Sequence, residues 1–260
     1  MMLQDIIKLN FAYLESFTKR TDTAWGSLFC NESQPTYYDA NHAHISETCA
    51  NSQLILDEVV RYYETKKIIP RFYMYDLDNQ RDLISTLKLN NFGYEELISP
   101  VQLWDKKMLK IEKNERVVIE LVTKNNYIEA LNIECSIKEF GGKAVREKAF
   151  EQEFNHPSFV HYLLRYNGIA CATACIFFQD NQARLESVAT LEEFRGRGLI
   201  GELIQYIQME VAKKGIENLW VFPINEKIEK VYQKYGFHTV AKLKMGHAFL
   251  GGKSIKEIQS

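Results

Sequence analysis

The sequence predicts a mixed α/β chain, built on a mostly antiparallel, twisted sheet flanked by helices and organised in two halves. Three observations carry this. Strand-like and helix-like apolar patterns alternate along the whole chain. In the second half Asn167-Gly168 joins two strand patterns, and Gln179-Asp180-Asn181 leads into a third, so three antiparallel strands stand in sequence. The stretch 105–115 is dense in charge, with Lys106, Lys107, Lys110, Glu112 and Lys113, and reads as a connection. The expected domains are 1–107, the smaller, and 116–260.

The elements follow in order. Ile6, Ile7, Leu9, Phe11, Leu14 and Phe17 give residues 4–18 one buried helical face. Residues 25–30 read as a strand, and 31–41 as a polar turn region around Tyr37 and Tyr38. A second helix holds Leu54, Ile55, Leu56, Val59 and Val60. A strand at 69–75 has Pro70 at its entrance, and Asp78 caps a third helix that ends near Leu89. Phe92-Gly93-Tyr94 turns into a strand at 97–104, where Pro100 implies an edge position or a bulge.

The second half opens with a strand at 117–122. Thr123 caps a helix at 125–135, and a further helix covers 143–154 until His156-Pro157 breaks it. The hairpin strands are 159–166 and 169–178, and the third strand is 183–190. A helix at 199–214 places Ile200, Leu203, Ile204, Ile207 and Val211 on one face, with Glu202, Gln205, Gln208 and Lys213 away from it and Gly215 as its stop. A strand at 217–222, a helix at 225–234, the turn Tyr235-Gly236-Phe237 and a last hairpin to Leu250 complete the chain. The order strand, helix, aromatic-Gly-aromatic turn, strand thus occurs twice, which fits either chance or a duplicated domain.

Bulk properties narrow the function classes. The chain has 260 residues, 46% hydrophobic and 25% charged, the make-up of an ordinary globular protein. A net charge of −2 gives no electrostatic case for nucleic acid or an anionic membrane. No apolar run approaches a membrane span, and the first residues lack a secretory pattern. Cys30, Cys49, Cys135, Cys171 and Cys175 form no framework. They read as free thiols, the last two in the core, which implies a reducing, cytoplasmic setting. His42 and His44, with Glu47 and Cys49 nearby, match no zinc spacing and read as a solvated loop. His156 and His161 read as structural or surface residues, so no metal is expected.

The chemistry-bearing stretch follows the strand at 183–190. Val188-Ala189-Thr190 close the strand, Arg195-Gly196-Arg197-Gly198 form a glycine-arginine loop, and Leu199-Ile200-Gly201 open a helix. Glycines let successive N–H groups aim at a ligand. The helix start adds unpaired N–H groups and about half a positive charge, and arginine adds charge-assisted hydrogen bonds. Pyrophosphate suits such a place, as does an ordinary surface turn.

Thirty residues later, Asn225, Tyr232, Gly236 and Phe237 stand at positions 1, 8, 12 and 13 of one segment. With both segments the chain resembles the GNAT superfamily of acyl-CoA-dependent N-acetyltransferases. That family's loop reads Arg/Gln-x-x-Gly-x-Gly/Ala, and its later helix Asn-x-x-Ala-x-x-x-Tyr-x-x-x-Gly-Phe. Arg195 and Gly198 match the loop; Ile200 departs from it, and Gly201 comes one place late. In the helix Ile228 replaces a small residue. The resemblance covers about 116–250 and implies a GNAT-like fold there, with a degenerate GNAT-like copy in the first half.

The resemblance implies direct transfer of an acetyl group from acetyl-CoA to a primary amine of a small molecule or a protein, by a monomer or homodimer. The strand ending at Thr190 would splay from its neighbour at 219–222, and the thioester arm would lie between them on backbone groups of Val188, Ala189 and Thr190. A backbone N–H at Val188 would hold the oxyanion. Residues 195–201 would hold the pyrophosphate, Asn225 the pantetheine or its surroundings, and Tyr232 would protonate the departing thiolate. Glu186, two residues before Val188, is the candidate general base; a salt-bridge role, and deprotonation through water, remain alternatives. A non-catalytic acyl-CoA-binding module and a longer acyl donor are the competing functions. Trp25 and residues 37–41 are the candidate acceptor wall or an ordinary packed loop.

Overall fold

A computed structural model describes residues 2–48, 51–109 and 114–259. In chain order the first part runs α1 (Met2–Glu15), β1 (Lys19–Thr23), β2 (Gly26–Cys30), β3 (His42–Ile45), α2 (Ser52–Glu64), β4 (Arg71–Met74), α3 (Arg81–Leu89) and β5 (Gly93–Trp104). The second part runs β6 (Val117–Leu121), α4 (Tyr127–Cys135), α5 (Lys143–Asn155), β7 (Phe159–Tyr166), β8 (Ile169–Gln179), β9 (Gln182–Thr190), α6 (Leu199–Lys213), β10 (Asn218–Val221), α7 (Glu226–Gln233), β11 (Phe237–Phe249) and α8 (Ile255–Gln259). Among the described residues no helix is long and apolar enough to cross a membrane.

The chain divides into two compact units that do not follow its midpoint. The first holds residues 1–9 and 100–242, the second 10–99 and 243–260. The divisions fall inside α1, β5 and β11. The expected boundaries, 1–107 and 116–260, differ from these chiefly at the C-terminus. The physical reason is strand pairing. Tyr73 and Met74 of β4 pair antiparallel with His247 and Gly246 of β11, and Gln102 and Leu103 of β5 pair antiparallel with Val221 and Trp220 of β10. Each unit therefore takes one strand from the opposite half of the sequence.

In the first unit the strand order is β5-β10-β9-β8-β7-β6. Asn167 and Gly168, both at positive φ, close the β7–β8 hairpin as the sequence predicts. Strand alternation sends Tyr162, Leu164, Ala172, Ala174 and Ile176 to one core, shared with Leu203, Ile204, Ile207 and Val211 of α6. The opposite face carries Leu163 and Ala189 against Ala130 and Ile133 of α4 and Phe150 of α5. Fully burying side chains of this size stabilises by roughly 1.5–3 kcal/mol each. Gln208, expected on the solvent side of α6, is buried and donates to the Tyr235 carbonyl at 2.7 Å.

In the second unit β1-β2-β3-β4 and the end of β11 form the sheet, with β3 and β4 parallel on either side of α2. Ala43, Ile45, Phe72 and Met74 pack with Ile55, Val59 and Tyr63 of α2 and Leu83 and Leu87 of α3. Strands β1 and β3 were not foreseen. Residues 42–45 form β3, so His42 and His44 alternate with Ala43 and Ile45 and are buried, not solvated. Phe11 lies edge-on to both Phe29 and His44. The HxH pair is a packed strand face; Cys49 lies outside the described residues. Residues 31–41 form an ordered loop around Asn41, whose amide donates to the Gln34 and Tyr37 carbonyls and accepts from the Asn31 N–H. Trp25 is buried and donates to Glu58 at 2.9 Å.

Other expectations shift by a few residues. Helix α4 starts behind Asn126 rather than Thr123, because Asn126 Oδ1 accepts from the Thr123 N–H at 2.6 Å and forms the turn itself. Gln80, not Asp78, precedes α3. The last hairpin is instead one strand, β11. Pro100 lies inside β5, one residue before the buried pair Val101 and Gln102. Cys171 and Cys175 are free and buried, as read, and Cys30 is free and buried as well.

Candidate functional site

The site lies within the first unit, where β9 leaves β10. The two strands pair in parallel from Gln182–Asn218 to Leu185–Val221, and the pairing stops there. On its other edge β9 is bulged. Cys175 faces Glu186 and Thr173 faces Ala189, so Ser187 and Val188 together stand opposite Ala174. Ser187 takes φ +50°, a left-handed conformation that one class of bulge uses and that a non-glycine residue rarely adopts. Bulge and splay re-aim the backbone from Glu186 to Thr190 into a cavity of about 630 Å³. The expected splay is present; the bulge was not foreseen, because Ser187 carries no turn signal in the sequence.

The glycine-arginine loop closes one end of this cavity. Gly196 (φ +77°) and Gly198 (φ +76°) both take left-handed conformations, and a Cβ at either would meet open space, so the backbone angle and not crowding calls for glycine. Gly198 caps α6, whose first turn presents Leu199 and Ile200 to the cavity. Arg195 Nε donates to the Thr190 carbonyl at 3.1 Å, and Arg197 Nη2 to that of Glu193 at 3.2 Å. Arg197 also lies over the rings of Tyr166 and Phe194. Both arginines thus brace the loop while keeping donors to spare. Ile200, the departure from the family pattern, is only partly buried and lines the cavity. Gly201 does not. A Cβ there would come 2.5 Å from the Tyr235 ring, so its role is close approach between α6 and the turn after α7.

Helix α7 forms the facing wall. Asn225 caps it through Oδ1, which accepts from the Ile228 N–H at 2.9 Å. Its side chain therefore sets where the helix starts, and it borders the cavity at the same time. One face of α7 buries Tyr232, whose ring meets Phe237 at 5.7 Å. Burial, and then the negative charge of Glu186, push the Tyr232 hydroxyl well above the ordinary tyrosine range, so it stays protonated. Glu186 also lines the cavity and pairs with Arg184, which stacks on Phe222. Burial raises its carboxyl, with Arg184 opposing.

The structure therefore brings Glu186, Val188, Ala189, Thr190, residues 195–200, Asn225 and Tyr232 to one cavity and leaves Gly201 outside it. It adds residues that the sequence did not single out. Ile137 and Phe140, after α4, line it where they pack with Ala189, and Pro223, Ile224 and Lys227 line it around Asn225. These are separated in sequence and follow no motif. His156 accepts from the Ser158 N–H at 3.2 Å, a structural role as read. His161 is buried beside Glu153 and Cys175, two strands from Glu186 of β9, which pairs in the sheet with Cys175.

Residues 125–237 match the model of the acetyltransferase (GNAT) family, the part of the chain that holds this cavity. That part of the chain belongs to the family, and the sheet with its flanking helices is a GNAT fold. The coarse activity that goes with the family is acyl transfer. Among solved structures the chain is similar to a functionally unknown conserved protein from Staphylococcus epidermidis, at 15% identity and TM-score 0.69, over 89% of this chain and 93% of that one. It is also similar to a GCN5-related N-acetyltransferase from Kribbella flavida, at 16% identity and TM-score 0.68, over 97% of each chain. A third, a GCN5-related N-acetyltransferase-like protein from Streptococcus suis, aligns at 14% identity and TM-score 0.57, over 94% of this chain and 93% of that one. At these identities the likeness is one of fold. No curated protein matches the sequence.

Proposed function

We propose that the first unit is an N-acetyltransferase that moves the acetyl group of acetyl-CoA to a primary amine by direct attack. The observation that carries this is convergence. The splayed backbone of Glu186 to Thr190, the glycine-arginine loop at the start of α6 and Tyr232 all line one cavity. Pyrophosphate would lie on the loop and the first N–H groups of α6, where the helix dipole and the spare arginine donors favour anions. The pantetheine arm would run along β9, as a third strand would, on groups that β10 no longer pairs. A backbone N–H next to the bulge at Val188 would hold the oxyanion, a contribution of roughly 3–4 kcal/mol for one such donor.

The amine attacks the thioester carbonyl, the tetrahedral intermediate collapses, and the C–S bond breaks. Tyr232 donates its proton to the departing sulfur, and its raised proton affinity keeps that proton available at neutral pH. The amine's proton goes to Glu186, directly or through water. The Arg184 partner makes Glu186 a weaker base than its burial alone would. The second unit, with its own parallel pair around α2 and helix-strand continuation, reads as a degenerate copy without the loop.

Thiol release from acetyl-CoA over a panel of amines tests the reading. The expected result is turnover with at least one amine, falling by about 10²–10⁴-fold in Tyr232→Phe. Tight acetyl-CoA binding without release across the panel would point to a binding module instead, and unchanged turnover in Tyr232→Phe would remove the tyrosine from the mechanism.

A further inference from the structure

The face of the first unit's sheet that looks toward α4 and α5 carries a polar cluster that the proposed transfer does not use. Glu134 comes from α4, Arg146 and Glu153 from α5, His161 from β7 and Cys175 from β8; all are buried. Arg146 binds Glu134 through Nε at 2.6 Å and both oxygens of Glu153 at 3.0 and 2.5 Å. Glu153, His161 and Cys175 each turn one donor atom inward, and the three atoms lie within 4.8 Å of one another. His161 Nε2 stands 3.5 Å from Cys175 Sγ and 3.9 Å from Glu153 Oε2. A tetrahedral zinc at its usual bond lengths separates its donors by about 3.3–3.7 Å. A contraction of up to about 1 Å would bring these three donors to that spacing and leave the fourth position of the tetrahedron to a water or another small ligand.

A second observation is independent of those distances. Among the described residues buried His161 Nδ1 and Glu134 Oε1 make no hydrogen bond of ordinary geometry and face each other at 4.0 Å, with the Thr173 hydroxyl close enough to Glu134 to favour its charged form. A histidine that binds metal through one nitrogen usually donates the other N–H to a carboxylate, which fixes tautomer and ring. Glu134 stands where that partner belongs. Charge points the same way. Glu186, opposite Cys175 on β9, is neutralised by its own partner Arg184, so Glu134 and Glu153 against Arg146 leave one negative charge in a dry site, an arrangement that calls for a proton or a cation. With Cys175 as thiolate, a divalent ion balances the cluster: three negative groups, Glu134, Glu153 and the thiolate, against Arg146 and the ion's two charges.

We propose that Glu153, His161 and Cys175 bind one divalent transition-metal ion, zinc by the chemistry of the set, with Glu134 as the outer partner of His161 and Arg146 as the neutralising cation. The proposal does not rest on the acetyl-transfer reading. On binding, the thiol proton of Cys175 leaves to solvent; lone pairs of sulfur, Nε2 and Oε2 form the bonds, and the metal keeps its oxidation state. The ion would tie α5 to β7 and β8. The sequence reading expected no metal, because the three donors come from three elements with no motif spacing.

The test uses the full chain freed of metal by a chelator, then given one equivalent of Co(II) or Zn(II), either folded or during refolding. The expected result is one ion retained per chain after gel filtration, a raised Tm, and a near-ultraviolet sulfur-to-cobalt charge-transfer band. That band should vanish in Cys175→Ser and persist in Cys171→Ser, whose thiol lies outside the cluster. If Cys175→Ser does not fold, zinc-edge X-ray absorption on the unaltered chain decides, with one sulfur expected among nitrogen and oxygen neighbours. No retained ion, a retained ion with no sulfur neighbour, or a band that survives in folded Cys175→Ser would each overturn the proposal and leave a buried proton or water as the cluster's balance.

Discussion

Single residues in this protein owe their roles to their neighbours. Gly201 is the clearest case. Its sequence position suggests a phosphate-loop glycine, but the Tyr235 ring occupies the space of its absent side chain. Gly201→Ala should cost about 1–3 kcal/mol by overpacking. The loss should be largely relieved in the double variant with Tyr235→Ala, as a thermal-unfolding comparison would show. The buried histidines of the second unit behave similarly. His247 Nε2 can only accept from Arg71 Nη1, at 3.0 Å, so Nδ1 carries the proton toward Glu95 at 2.8 Å. A second proton would point at the guanidinium. Burial pushes both His247 and His44 down to about 4. The unfolded chain therefore takes up protons first as pH falls. Stability from these groups is full above about 6.5 and is lost between there and about 4, at most about 3 kcal/mol for each. Denaturant midpoints measured from pH 7.5 to 4.5 should fall across that window. A flat profile would show that the folded chain takes up protons at these histidines as readily as the unfolded one.

At the scale of elements, helices were more legible than strands. The apolar stripe of α6 and the Asn-Gly hairpin of β7 and β8 follow from local chemistry, and both form as read. Strand β3 is hidden because its two outward positions are histidines, which read as polar until α1 and the 31–41 loop cover them. The bulge in β9 is hidden because Ser187 takes its left-handed angle only once β8 sets the register. Helix α7 shows how an element serves the site indirectly. Asn225 caps it, and Tyr232 rides two turns further on. Asn225→Ala should cost about 1 kcal/mol in stability. It should also lower turnover with a larger effect on kcat than on KM for acetyl-CoA, because the first loss is in where Tyr232 sits. A pure KM effect would instead assign Asn225 to ligand contact.

At the scale of the molecule, the two units exchange chain. Strand β10 is completed by β5, and β4 by the end of β11. A link dense in charge invites cutting the chain near residues 107–116, yet each piece would then lack a strand its sheet requires. Fragments 1–107 and 116–260, expressed apart, should show poor amide dispersion in NMR and no cooperative melting, and mixing them should restore both. Independent folding of either fragment would show that the borrowed strand is dispensable. The C-terminal segment is tied in by more than pairing. Glu95 accepts from the Ile255 N–H at 2.7 Å, and Arg71 donates to the Lys253 carbonyl at 3.0 Å.

By itself the sequence determined what depends on near neighbours: periodic helix faces, the hairpin turn, the cationic glycine loop, and the Asn225-to-Phe237 spacing that marks the acyl-CoA family. These read out because a helix face repeats every 3.6 residues and a cap or tight turn acts over three or four. Tertiary structure alone decided what depends on distant partners. It placed Gly201 under Tyr235, made a strand of His42–Ile45, bulged β9 at Ser187, gathered Glu153, His161 and Cys175, and gave each sheet a strand from the other half. Such features are set by long-range register and by burial, and no local pattern of residue types encodes either.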